Sequence, residues 1–226
     1  MNRPSLSLNH LLRYRKVFLP ETATAAQARQ LFHRFPRLYH LPIVSQEGKY
    51  VGLFSKRQLA RKSPETSLLD IKWHSIPPLP TYATVYDALQ HMENYKTPEV
   101  AVADEEGLYQ GLITTDALVR WWSHLGAVQE PGAVLILEAY LRDYSLVEIA
   151  SILESDEIRI LSAYLLRHEE DLQKTYIVLK VNSIYLARSI ELLERKGYRI
   201  AALHGDLLME KNARDQLQAL LRYLSL

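Results

Sequence analysis

Arg37, His40, Lys56 and Arg57 gather around one short stretch of the chain. Cations placed in that way can hold a phosphate through charge-assisted hydrogen bonds. The competing reading takes the same four as ordinary solvated surface charges. The densest run of titratable side chains is His168-Glu169-Glu170-Asp171. A metal or acid–base site there would need partners converging from elsewhere, and the run falls in a predicted turn, where charges are normally solvated. Other histidines, such as His33, His91 and His204, stand singly. No GxxxxGK[ST], GxGxxG or GxSxG motif occurs, and 8 glycines leave little material for a phosphate cradle. Nothing in this inventory supports turnover, so the chain reads as non-catalytic.

Composition narrows the classes further. The 226 residues can form one large or two small domains. Lys and Arg number 27 against 26 Asp and Glu, a balance without the clustered basic excess of a nucleic-acid footprint. The runs Arg13-Tyr14-Arg15-Lys16 and Lys56-Arg57 are short. There is no cysteine, which removes disulfides, thiolate metal sites and cysteine nucleophiles. The first sixteen residues are broken by charges and lack the apolar core of a signal peptide. No apolar run approaches the roughly 20 residues that span a bilayer. A soluble, cytoplasmic protein without nucleic-acid or membrane partners is expected.

The elements that must carry the cations are written twice. "YVGLFSKRQL" (50–59) and "YQGLITTDAL" (109–118) share Tyr, Gly-Leu and the final Leu, with Gly52 and Gly111 59 residues apart. Outward, "LPIVSQEGKYVGLF" (41–54) lies over "VAVADEEGLYQGLI" (100–113) without a gap. Each copy reads strand, acidic-glycine turn, strand, a hairpin signal because glycine takes positive φ without steric cost. Upstream, "ATAAQARQLF" (23–32) matches "ATVYDALQHM" (83–92). Thr24 with Gln27 and Thr84 with Asp87 have capping-box spacing. Apolar residues at Ala28, Leu31, Phe32 and Phe35 share one helical face, as do Val85, Ala88, Leu89 and Met92. A second helix is predicted to start near Lys56 and near Thr115. Each copy is then helix, strand, turn, strand, helix, too poor in apolar surface to stand alone, and the two hairpins should face each other about a pseudo-twofold axis.

These paired features resemble a tandem CBS-domain pair, covering roughly residues 17–125, with repeats over 17–70 and 71–125. The resemblance implies an adenosine nucleotide, such as AMP or ATP, bound between the halves of a regulatory sensor. It places a hydroxyl after the second strand, here Ser55 and Thr114, and three residues later an Asp for the ribose hydroxyls. Gln58 and Ala117 stand at those positions instead, and Asp116 lies one residue early, rotated by about 100° on a helix. The apolar wall before the first strand corresponds to Tyr39, His40, Leu41 and Pro42 in copy one and to Pro98, Glu99, Val100 and Ala101 in copy two. Glu99 would repel an incoming phosphate. Weak binding, mainly through the first copy, is expected.

From Pro131 the rhythm changes. Strands are predicted at 132–141, 158–166, 175–182 and 198–203, with helices at 145–155 and 183–197, the latter ending at Gly197. The order βαββαβ is the ferredoxin-like motif. After a CBS pair, it resembles the ACT-like domain, over 132–204, of acetoin-utilisation-type regulators. The amino-acid site of ACT domains lies at the first strand–helix turn. Here that turn reads Arg142-Asp143-Tyr144-Ser145; Tyr144 would obstruct a ligand, and Ser145 with Glu148 has capping-box spacing. A C-terminal helix over 205–226 is expected, with Ala213, Leu217, Leu220 and Leu224 on one seam. The fold class is thus α+β and α/β: a pseudo-symmetric CBS pair, then a ferredoxin-like ACT-like domain and a helix. A homodimer is expected, as both families imply, with ligand-biased closure passed through 126–131. The alternatives are an interaction scaffold with an empty cleft and a regulator working only in complex with an enzyme.

Overall fold

Each repeat opens on the same cap. Thr24 Oγ1 accepts from Gln27 N–H at 3.4 Å and Gln27 Oε1 accepts from Thr24 N–H at 2.8 Å. Thr84 and Asp87 repeat the pair at 3.4 and 2.7 Å. The predicted boxes therefore form, satisfying donors at both helix starts. The computed structural model describes residues 8–124 and 126–205. These form two compact units divided between Trp122 and Ser123. The predicted C-terminal helix lies outside the described residues.

In the first unit, β1 (Leu19–Pro20), α1 (Ala25–Arg34), β2 (His40–Val44) and β3 (Tyr50–Ser55) form repeat one. Repeat two has β4 (Leu79–Pro80), α2 (Val85–Tyr95), β5 (Glu99–Ala103), β6 (Tyr109–Thr114) and α3 (Thr115–Ser123). Both three-stranded sheets have one topology: a short parallel strand, then the antiparallel hairpin. The helix expected near Lys56 is only a single 3-10 turn, Lys56–Leu59. Arg61 takes φ 62° and Pro64 follows soon after, disfavouring helical backbone at Ser63.

The hairpins meet as the duplication requires. Tyr50 N–H donates to Gly107 O at 2.9 Å, and Tyr109 N–H donates to Gly48 O at 3.0 Å. Tyr50 and Tyr109, like Gly48 and Gly107, are equivalent residues 59 apart, so the two bonds are one contact made twice and a pseudo-twofold axis passes between the turns. Ala101 and Leu112 of repeat two sit in the core cluster of repeat one. The halves share a core.

Segments outside the hairpins are exchanged. Leu8 N–H donates to Ala83 O, while the equivalent Leu68 N–H donates to Ala23 O. Leu8, Leu11 and Leu12 pack with Val85, Ala88 and Ile113, completing repeat two. Residues 13 and 112 exchange backbone hydrogen bonds at 2.8 and 2.9 Å, as 53 and 74 do at 3.0 and 2.9 Å. These approaches explain the shared glycines. A Cβ on Gly52 would meet Trp73 Cδ1 at 2.7 Å, and one on Gly111, at φ 149°, would meet Arg13 O at 2.9 Å. Glycine here admits a neighbouring backbone.

The second unit holds α4 (Gly126–Gln129), β7 (Ala133–Tyr140), α5 (Leu146–Glu154), β8 (Ile160–Arg167), β9 (Lys174–Val181), α6 (Ala187–Arg195) and β10 (Arg199–His204). The element order βαββαβ is as predicted, and the sheet order is β10-β7-β9-β8, antiparallel throughout. Alternate residues Leu135, Leu137, Ile177 and Leu179 bury against Ile149, Leu153 and Leu193. Helix α6 begins four residues later than predicted, because Ser183 Oγ accepts from Tyr185 N–H and holds a local turn. It ends in a Schellman motif: Tyr198 N–H to Leu193 O at 3.0 Å and Gly197 N–H to Glu194 O at 2.9 Å, with Gly197 at φ 91°.

Candidate functional site

β2 and β5 start at equivalent residues, His40 and Glu99, and the axis brings the two together. Glu99 Oε2 lies 2.8 Å from His40 Nδ1, and Oε1 accepts from Tyr39 N–H at 2.7 Å. The Glu99 side chain is 2% exposed. Thr97 Oγ1, also buried, donates to Glu99 O at 3.1 Å and lies 3.4 Å from His40 Nδ1. Both carboxylate oxygens are thus used inside the fold, as a buried carboxylate requires. The residue expected to repel a phosphate is thus held by His40 and the Tyr39 N–H.

Two cavities flank this pair, with Tyr39 and Pro98 lining both. Cleft one, about 300 Å³, is lined by His40, Ser55, Lys56, Arg57, His74 and Lys96 as well. Cleft two, about 410 Å³, includes Tyr14, Arg37, Glu99, Thr114 and Asp116. Three of the four cations read from the sequence therefore meet in cleft one. Arg37 lies in the other, 3.6 Å from Asp116, which is also 3.8 Å from Arg120. All three of these side chains are well exposed, so the pairs are weak.

The remaining candidates are placed by packing. Leu41 and Val100 are fully buried, and Pro42 is buried; these belong to the core and line neither cavity. Gln58 accepts from Ser55 N–H at 2.7 Å through Oε1 and donates to Lys72 O through Nε2. It is committed to the turn rather than turned toward a ligand. Ala117 is buried, and Thr114 Oγ1 accepts from its N–H at 3.3 Å. His74 and Lys96 were missed by sequence reasoning. Each comes from the segment before or after a repeat's helix, and only the exchange about the axis delivers it. The Tyr50 and Tyr109 hydroxyls donate to carbonyls of Ile76 and of Tyr14, and burial pushes both phenols well above their ordinary range.

The family model for the CBS domain matches residues 9–65 and 69–124, together half of the chain. The chain belongs to the CBS-domain family. The CBS pair is tandem, and the exchanged segment beginning at Leu8 falls almost wholly within its first match. Among solved structures, a CBS domain pair/ACT domain protein from Thermotoga maritima is 15% identical, with a TM-score of 0.48, covering 51% of this chain and 95% of that one. The CBS domains of a transcriptional regulator from Streptococcus pneumoniae are 22% identical, with a TM-score of 0.46, covering 50% and 97%. A CBS domain pair solved with 5′-methylthioadenosine and S-adenosyl-L-methionine is 18% identical, with a TM-score of 0.45, covering 52% and 95%. No curated protein matches the chain.

Beyond the CBS pair, His168 Nδ1 accepts from the N–H groups of Glu170 and Asp171, so the acidic run folds its own turn. No group of residues suited to a metal ion occurs among the described residues, and none of their helices is long and apolar enough to cross a membrane. Tyr144 is half-buried against the second core. The box expected at Ser145 forms only in part. Ser145 Oγ accepts from Glu148 N–H, but Ser145 N–H donates to the Tyr198 hydroxyl, which donates in turn to Glu148 Oε2. On the same sheet, Glu138 joins Lys174 at 2.6 Å and Arg199 at 3.1 Å. The Lys174 hydrogen bond holds its carboxyl below the ordinary range.

Proposed function

We propose that this chain is a non-catalytic regulatory protein whose CBS pair binds an adenosine nucleotide in cleft one. CBS pairs are commonly regulatory and bind adenosine ligands. The observation that carries the reading for this chain is the convergence of Lys56, Arg57, His40 and Tyr39 on a cavity between the repeats. Cations there suit a phosphate, and a largely exposed tyrosine ring suits a base. Binding is weak, because the side chain three residues beyond Ser55 is committed elsewhere and cannot receive the ribose hydroxyls. The second unit is ferredoxin-like and ACT-like, a reading supported by its strand order, and it relays closure of the CBS halves within a homodimer. A ligand shifts such an equilibrium only through differential affinity for its two states.

Calorimetric titration of the full chain with AMP, ATP and S-adenosylmethionine tests the binding, with a melting scan beside it, since a ligand of the folded state raises apparent stability. Absence of both heat and melting shift for all three would leave the interaction-scaffold reading in its place. Light scattering at micromolar concentration tests the dimer; a monomer mass would remove it.

A further inference from the structure

We infer that cleft one selects its ligand by the phosphate chain and is indifferent to the sugar. This rests on the reading of cleft one as the ligand site and narrows the class of ligand it takes. The lining holds three full cations, Lys56, Arg57 and Lys96, together with His40 and His74, and no carboxylate. Lys56 and Arg57 have no ion-pair partner among the described residues. Among the described residues Lys96 pairs with the exposed Glu93, a contact that solvent already weakens. Excess positive charge of this density is matched by a polyanion carrying several charges, such as a di- or triphosphate.

The lining also lacks a group that reads a sugar. A ribose cis-diol is read by a side chain that accepts two hydrogen bonds, most simply a carboxylate. The Glu99 carboxylate beside His40 has both oxygens occupied, by His40 and by the Tyr39 N–H. The Gln58 amide, next in sequence to Arg57, spends its oxygen on Ser55 N–H and its nitrogen on Lys72 O. Ser55 offers one hydroxyl, which cannot chelate a diol. Tyr39, 64% exposed, presents a ring face that any base can stack on without being identified. Phosphates are gripped, then, while sugar and base are tolerated.

Titration of the full chain in magnesium-free buffer separates the possibilities, using ATP, 2′,3′-dideoxy-ATP, inorganic triphosphate and adenosine. ATP and dideoxy-ATP should agree within about threefold, and triphosphate should bind within about tenfold of ATP, while adenosine gives no heat. Lys56→Ala and Arg57→Ala, both at exposed positions, should each weaken ATP about tenfold, the size of one charge-assisted contact, with unchanged melting of the free protein. Dideoxy-ATP binding tenfold or more below ATP, adenosine binding as well as ATP, or cation variants without effect would overturn the inference and leave a nucleotide site standing. No heat from any phosphate ligand would overturn both this inference and the nucleotide reading.

Discussion

His40 Nδ1 lies 2.8 Å from Glu99 Oε2, although the two residues occupy equivalent places 59 positions apart in repeats of the same strand and turn. Ancestral symmetry would set two like residues against each other there. The chain instead sets a base against an acid and closes the axis between the two clefts. The pair is largely enclosed, so its two members depend on one another more than a surface pair would.

Glu99→Ala strands the Tyr39 N–H and the imidazole, and should cost about 2–4 kcal/mol of stability. His40→Ala leaves the carboxylate with one partner and should cost a similar amount. The double variant should lose clearly less than the sum of the two. Urea unfolding of all four proteins measures the coupling, and strict additivity would show that the contact contributes nothing.

Gly111→Ala places a Cβ 2.9 Å from Arg13 O at φ 149°. Arg13 and Leu112 must then part, loosening the residues 8–13 that complete repeat two. A loss of about 2–3 kcal/mol follows from the strain and the lost pairing. Thermal melting should show it, and exchange of the Arg13 and Leu112 amide hydrogens should quicken before that of the sheet centres.

Thr24→Ala and Thr84→Ala each remove one side-chain cap and should cost about 1 kcal/mol. The caps open different helices and share no partner, so their effects should add. Denaturant midpoints of the single and double variants check this, and a Thr→Ser change at either site should restore most of the loss.

The second unit should be sensitive to acid. The Lys174 hydrogen bond lowers the Glu138 pKa from its ordinary 4.5 in the fold, so the native state gives up that proton more readily than the unfolded chain. Its contribution is complete above the unfolded value and fades as pH falls through the folded one. Glu148, lowered by Lys196 and Tyr198, acts in the same direction. Stability followed by circular dichroism should fall below about pH 4.5, and Glu138→Gln should flatten part of that fall.

Much of this protein is legible in its residues. The paired Tyr-x-Gly-Leu stretches announced the doubling, the hydroxyl–acceptor spacings announced both helix caps, and the apolar rhythm after Pro131 announced βαββαβ. These are local signals, written within a turn or a strand, and local geometry reproduces them wherever the chain is placed. Copy one nevertheless stops after a single 3-10 turn beyond Ser55, because Arg61 and Pro64 divert the backbone. Helix α6 gives up its first predicted turn to the Ser183 hydroxyl, a competition that periodicity does not register.

The sequence alone determined that two like hairpins exist and that cations stand near the first. Only the tertiary structure decided which cations share a cavity, sending Arg37 to Asp116 and leaving Lys56 and Arg57 with His74 and Lys96. It also decided that Glu99 is a buried partner of His40 and the Tyr39 N–H, and that Leu41, Pro42 and Val100 are core. The reason is physical: spacing along a chain fixes which face of an element a side chain occupies, whereas its partner is set by the packing of elements tens of residues apart about a common axis.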